Sequence, residues 1–417
     1  MQEPEIQVGL LSSKKISFTL HGKYHVVTPK GNPAPIQRII EGEQIVCLEN
    51  NLIQWNGGST KELLFFPIDP EKNLIELKNV MIGKQFHWQQ EEDQCFQGAL
   101  RLIIENDEIT AINIISTECY LASVISSEMS ATASLELLKA HAVISRSWLL
   151  AQLTSQKNDT HQSCGTESDD EIIRWYNRSA HQHYDVCADD HCQRYQGVGK
   201  VTTDTAKEAV EQTRGEILIF NGEICDTRFS KCCGGVTEKF STCWEDKDYP
   251  YLMGVIDPYC GMADQHILNQ VMVNYDQQTT DFYRWTVTYT QQELHDLLLT
   301  NTGIDFGDIF DLEPLARGTS GRIFRLKIVG SKRTLIIGKE LEIRKTLSKS
   351  HLFSSAFTIE KEEGDDQVPV QFVLHGAGWG HGVGLCQIGA AVMGEQGFKY
   401  KEILLHYYKG AKVERMY

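Results

Sequence analysis

At 417 residues the chain is long enough for two domains, or for one large domain with insertions. Its 41% hydrophobic and 23% charged residues fit an ordinary globular protein, and a net charge of −16 argues against nucleic acid or an anionic membrane surface as the main partner. No apolar run approaches the ~20 residues that span a bilayer, and the opening residues Met1–Glu5 carry neither the basic nor the apolar region of a signal peptide. Location is therefore open between the cytoplasm and the cell envelope or exterior, the latter if an export signal has been removed.

The first ~95 residues read as short strands by alternation and turn chemistry. Ile6–Leu10, Lys15–Leu20 and Tyr24–Val27 alternate apolar with polar residues, and Gly22, Gly31-Asn32-Pro33 and Asn56-Gly57-Gly58 supply breaks. From Phe96 the character changes. Leu100–Ile115 reads as a hairpin turning at Asn106-Asp107. A helix is expected from Glu118 to about Glu128, with Ser116 or Thr117 as its cap. A second is expected from about Leu135 to Leu150, with its apolar positions at three- and four-residue steps. Residues 154–200 are polar and loop-rich, 262–365 return to strands and helices, and the last ~45 residues hold a helix through Ala390–Met393 and an amphipathic segment Tyr400–Tyr408. The expectation is a strand-rich α+β fold, with a β-rich region over 1–95 and a second domain over 96–417 interrupted by an insertion at about 262–365.

Twelve cysteines are many for a cytosolic enzyme, and Cys187, Cys192, Cys225, Cys232, Cys233, Cys243 and Cys260 crowd the middle. An oxidising compartment favours disulfides, a reducing one metal binding or burial. The densest group is His181, His183, Cys187, His191 and Cys192, in one loop. Two thiolates and two imidazoles can complete a tetrahedral zinc shell; a disulfide from Cys187 or Cys192 is the competing reading.

The most informative stretch is Gly378-Trp379-Gly380-His381-Gly382-Val383-Gly384-Leu385-Cys386-Gln387-Ile388-Gly389-Ala390. Glycine permits positive φ and close approach of a ligand, and a histidine held there offers a donor and an acceptor. With Tyr120–Ser130, Leu138–Arg146 and Phe229–Glu238, this run resembles the sporulation stage II protein D family (SpoIID/LytB), whose members act on peptidoglycan glycan strands. Arg317–Arg322, Leu341–Arg344, Ser354–Phe357 and His406–Gly410 follow the same pattern as scaffold, so the resemblance covers about residues 96–413.

The resemblance implies that Glu128, in the Glu-Met pair, is the catalytic residue. Its place at a helix C-terminus beside Ile125 and Met129 disfavours the carboxylate form and suits a general acid. Lys139 and Arg146, seven apart, share a helix face and can bind substrate oxygens. Gly234 and Gly235 suit a tight turn exposing backbone N–H groups. Ser230 and Thr237 can bond sugar hydroxyls, and His375, His381 and Gln387 are the polar candidates to face a glycan. Ser130, His141 and Trp148 stand where the family usually has proline, glutamine and tyrosine. The family's zinc arrangement maps onto His181, Cys187, His191 and Cys192, with His183 as the alternative to His181; four protein ligands make the ion structural.

The implied activity is a lytic transglycosylase acting on peptide-stripped MurNAc-GlcNAc strands. The muramic 6-hydroxyl attacks its own anomeric carbon and leaves a 1,6-anhydro end, so one acid/base glutamate suffices where a hydrolase needs two carboxylates. Asp226, Glu238 and Asp246 are the partners if that logic fails. The alternative is a non-catalytic glycan-binding enhancer of an N-acetylmuramoyl-L-alanine amidase. A third reading, from the cysteines, is a redox or metal-handling protein.

Overall fold

The computed structural model describes residues 2–28, 37–82, 90–130, 133–155, 165–176, 181–189, 191–201, 204–272, 281–364 and 368–417. The expected break at Gly31-Asn32-Pro33 lies outside them. The architecture is the expected α+β mixture, rich in strands. Among the described residues no helix is long and apolar enough to cross a membrane. The chain forms two compact units: Met1–Ala131 with Arg178–Glu216 and Arg415–Tyr417, and Thr132–Asn177 with Ile217–Glu414.

The first unit is built on an 11-stranded sheet. Its path runs Val186–Cys187, Glu5–Ser13, Glu108–Ser116, Ala99–Glu105, Glu62–Pro67, Lys15–Val27, Gln37–Glu49, Leu52–Trp55 and Gly58–Thr60, with Leu74–Ile82 and Gln90–Phe96 branching from Lys15–Val27. Asn106 and Asp107, at φ +51° and +59°, close the hairpin between Ala99–Glu105 and Glu108–Ser116. Two consecutive positive φ values match the right-handed strand twist, and asparagine and aspartate tolerate them. Asn56 and Gly57 repeat the device at φ +48° and +74°. Gly22 differs from expectation. At φ +96° it sits in a register irregularity between Leu20 and Tyr24, and the strand Lys15–Val27 continues through it. Glycine has absorbed a bulge and the ladder has not ended.

Helix α1, Thr117–Glu128, follows the hairpin directly and packs on Glu108–Ser116 and on the helix Asp204–Gln212. Ser116 occupies its N-cap position, but its side chain makes no cap bond. The cap comes instead from the N-terminal segment: Glu3 Oε1 accepts from the Glu118 amide at 3.0 Å, and the Pro4 carbonyl accepts from the Thr117 amide at 3.0 Å. A carboxylate at the positive end of the helix is favourable.

The second unit carries a five-stranded sheet, a three-stranded antiparallel sheet (Arg284–Thr290, Pro369–Ala377, Phe357–Glu363) and a two-stranded parallel pair, Phe229–Ser230 with Leu385–Cys386. One apolar core in it gathers Trp285, Leu294, Leu298, Phe306, Leu326, Ile337, Phe357 and Phe372. Helix α2, Leu135–Ser155, packs against the helices Gln387–Glu395 and Tyr400–Tyr407. It is buried at every residue from Ala140 to Leu150. The face shared by Lys139 and Arg146, expected to bind substrate oxygens, is therefore closed at Arg146, while Lys139, just before that run, is half-buried. Ala140, Ala142, Ser145 and Ser147 are small enough for close packing, and their polar atoms are paired: the Ser147 hydroxyl donates to Val143 O and accepts the Leu218 amide.

Candidate functional site

Glu128 is the last residue of α1 and is half-buried. Its Oε1 accepts the Arg194 amide at 3.1 Å. That amide belongs to a strap, residues 193–197, laid along the helix and bonded to it repeatedly. Tyr120 donates to Gln193 Oε1 at 3.2 Å, Ser123 to the Gly197 carbonyl at 2.8 Å, and the Gln196 amide to Ser127 Oγ at 3.2 Å. Tyr195 stacks on Tyr120 at 5.0 Å between ring centres and donates to Asn113 Oδ1 at 2.6 Å. The buried Asn113 in turn donates to the carbonyls of Gln97 and Ala99. The carboxylate is thus oriented by backbone held in place by buried, satisfied polar contacts.

The strap begins at the His/Cys cluster. His181, Cys187, His191 and Cys192 bring their ligand atoms within 4.8 Å of one another. Cys192 Sγ lies 3.5 Å from His181 Nε2 and 3.5 Å from His191 Nδ1, and Cys187 Sγ lies 3.9 Å from His191 Nδ1. A tetrahedral zinc shell has sulfur-to-nitrogen edges of about 3.6 Å, given ordinary Zn–S and Zn–N lengths. The donors therefore fit that ion. Hydrogen bonding with Cys192, then with His181 and His191, holds the Cys187 thiol far below its ordinary range, at about 2. The thiolate is the ligand form. His183, the alternative ligand, instead lies 3.9 Å from Glu105. Among the described residues every cysteine is a free thiol, so neither Cys187 nor Cys192 is in a disulfide.

The second unit holds the other expected site residues. The four alternating glycines of the Gly/His run adopt φ of +78° (Gly378), +86° (Gly380), +75° (Gly382) and +75° (Gly384). What approaches them closely is the chain itself. A Cβ on Gly382 would lie 2.5 Å from Arg322 Cζ, and one on Gly384 would lie 1.9 Å from the Arg228 carbonyl oxygen. Arg322 is fully buried and donates to the carbonyls of Gly380, Cys233 and Cys232. It joins the Gly/His run to the Cys-Cys-Gly-Gly segment, a role that sequence reading missed because its partners are backbone oxygens far away in sequence.

Inside the Gly/His run, His381 Nδ1 accepts the Val383 amide at 3.0 Å, and Trp244 packs edge-on at 5.0 Å. Burial first, then the guanidiniums of Arg228, Arg322 and Arg344, push its pKa well below the ordinary value, so the ring is neutral. His375 is exposed, between Glu360 at 3.2 Å and Thr286 at 3.3 Å. Gly234 and Gly235 turn at φ +84° and +114°. Ser230 is buried, and its hydroxyl has no hydrogen-bond partner among the described residues.

Three expected sugar-binding residues are interior instead. Arg146 is fully buried with a guanidinium N–H 3.5 Å from the Ala142 carbonyl. Thr237 accepts the Val255 amide at 2.8 Å and is buried. Gln387, also buried, donates its amide to His141 Nε2 at 3.2 Å. Each is enclosed by the surrounding chain, and its polar group is used by the fold. Lys139 remains half-buried and paired to Glu136 at 3.2 Å. The reserve carboxylates are also engaged. Glu238 is fully buried and accepts from Thr242, from Thr319 and from the Lys239 and Ser320 amides. Asp226 pairs with Arg228 at 2.8 Å and Asp246 with Lys339 at 2.6 Å.

Residues 105–220, which include α1, α2 and the His/Cys cluster, match the family described as "Stage II sporulation protein". Residues 238–384 match "Domain of unknown function (DUF8618)". An uncharacterized protein of Brachyspira hyodysenteriae is 28% identical over 76% of this chain and 72% of its own length. Stage II sporulation protein D of Bacillus subtilis is 25% identical over 73% of this chain and 76% of its own length. The amidase enhancer of Bacillus subtilis is 26% identical over 70% of this chain but 39% of its own length. The SpoIID family match thus covers residues 105–220, and over most of its length the chain is similar to stage II sporulation protein D and the amidase enhancer.

Proposed function

We propose that the protein is a peptidoglycan lytic transglycosylase of the cell envelope with Glu128 as its acid/base. The observation that carries the reading is the half-buried helix-end glutamate fixed by the Arg194 amide. In the reaction, Glu128 protonates the glycosidic oxygen that leaves C1 of the muramic residue and takes the proton of the 6-hydroxyl as that oxygen closes on C1. The proton given is regained, so one carboxyl group serves both steps. Peptide-free strands are the substrate class. Within the second unit, Lys139, His375 and His381 are the side chains assigned to sugar oxygens, with Gly234 and Gly235 offering backbone. His181, Cys187, His191 and Cys192 would hold a structural zinc; bound, it would cross-link the loop that ends in the strap. The chain's own contribution is the strap itself, which sets the angle of the Glu128 carboxylate.

A second reading follows from the similarity to an amidase enhancer: glycan binding that stimulates a separate cell-wall amidase without cutting. One experiment separates the two. Peptide-free glycan is incubated with wild type and with Glu128→Gln, and the products are identified by mass spectrometry. Anhydro-muramyl ends from wild type alone support the enzyme. Intact strands in both samples, with binding retained, would sink the enzyme and leave the enhancer.

A further inference from the structure

A second cluster of ligand atoms lies in the second unit. Cys233, Asp257, Cys260 and Cys386 are all buried, and their Sγ and carboxylate oxygen atoms lie within 4.8 Å of one another. We propose that these four residues form a second metal centre that takes a soft divalent ion such as zinc.

Four observations carry the assignment. The first is distance. Cys233 Sγ is 3.6 Å from Cys260 Sγ and 3.3 Å from Asp257 Oδ2. A tetrahedral zinc shell has sulfur–sulfur edges of about 3.8 Å and sulfur–oxygen edges of about 3.6 Å, from its bond lengths. A disulfide needs about 2.05 Å between sulfurs, and three thiols cannot all be paired among themselves.

The second is the carboxylate. Asp257 is fully buried, and among the described residues it has no basic partner. Burying an unpaired carboxylate is costly, and a cation removes that cost. The third is the outer contacts. Asp257 Oδ1 accepts the amides of Tyr259 at 2.9 Å and Cys260 at 3.3 Å, which leaves Oδ2 facing the Cys233 sulfur, with the Tyr407 hydroxyl 3.1 Å away. Metal-binding carboxylates are typically oriented in this way by surrounding hydrogen bonds. The buried Arg322, donating to the carbonyls of Cys232 and Cys233, sets a positive charge beside an anionic shell.

The fourth is what the cluster joins. The three thiols come from the Cys-Cys-Gly-Gly turn, the 257–262 segment and the Gly/His run. These segments already meet through backbone bonds, Cys232 with Trp379 in both directions and the Asp257 amide with the Gly235 carbonyl at 2.9 Å, so the three thiols are delivered to one point, and a metal bonded to all of them would cross-link the segments further. With four protein donors the centre would be structural.

The test uses the full chain, reduced, loaded with excess zinc and desalted, with metal counted by mass spectrometry. In a Cys187→Ser/Cys192→Ser background, which disables the first cluster, one equivalent should remain. Adding Cys386→Ser or Cys260→Ser should reduce it at least tenfold, while Cys225→Ser, a buried thiol outside the cluster, should not. The zinc K-edge spectrum of the background protein should read three sulfurs and one oxygen. If that background does not fold, the wild-type spectrum decides: sulfur should outnumber nitrogen, whereas the first cluster alone gives equal numbers. No retained zinc in the folded background, or equal sulfur and nitrogen in wild type, would overturn the proposal.

Discussion

His141 is fully buried in α2, with Nδ1 at 3.1 Å from Ser145 Oγ and Nε2 receiving the Gln387 amide at 3.2 Å. The ring of Phe229 packs edge-on at 4.7 Å. Burial, then the Lys231 charge, lowers its pKa from 6.5 to about 3. Protonation would turn the Nε2 acceptor into a donor facing an amide donor, in a site without solvent. The unfolded chain therefore takes the proton first as pH falls. Stability from this group is complete above the unfolded value of 6.5 and declines below it until the folded value near 3. At pH 5 the loss works out at about 2 kcal/mol from those two values. The assay is urea denaturation of wild type and His141→Gln at pH 7.5 and pH 5, since glutamine can still meet the Gln387 amide without titrating. Wild type should lose about 2 kcal/mol more than the variant over that interval. Burial also depresses His351 and His381, but both are present in both proteins, so the difference isolates His141. Equal losses in the two proteins would refute the reasoning.

Three further outcomes follow from the packing. Gly382→Ala should destabilise by about 2–4 kcal/mol, because φ is +75° and its Cβ would meet the buried Arg322 guanidinium; a thermal melt unchanged to within a degree would contradict this. Glu238→Gln should cost about 2–4 kcal/mol, since an amide NH₂ would face donors that now share a carboxylate, with Ser320 donating from both its amide and its hydroxyl; a neutral result in denaturant would reject that account. Tyr195→Phe removes the buried bond to Asn113 and should cost about 1–3 kcal/mol. If the strap orients Glu128, the Tyr195→Phe change should also slow glycan cleavage more than it weakens glycan binding, which product timing and a binding isotherm can separate.

Part of this molecule was written locally. The hairpin over 99–116 follows from Asn106-Asp107, because two residues that tolerate positive φ force the turn that matches strand twist. Helix α1 follows from its apolar spacing, and the alternating glycines before Leu385 took the backbone that only glycine adopts without strain. The His/Cys cluster was also readable, since its four donors lie within twelve residues and a single loop can close on itself. Other features depended on partners that no local pattern specifies. The cap of α1 is Glu3, more than a hundred residues away. Lys139 and Arg146 share a helix face by spacing, but spacing does not say whether solvent or protein meets it, and α2 is enclosed. The Arg194 amide that holds Glu128 is backbone, which carries no sequence signal. Cys233 and Cys386 stand 153 positions apart, and only the parallel pairing of Phe229–Ser230 with Leu385–Cys386 brings their sulfurs to one carboxylate. Short-range turn and helix chemistry is set by neighbouring side chains, whereas burial and long-range convergence are set by which surfaces pack together, and that is decided by the whole chain.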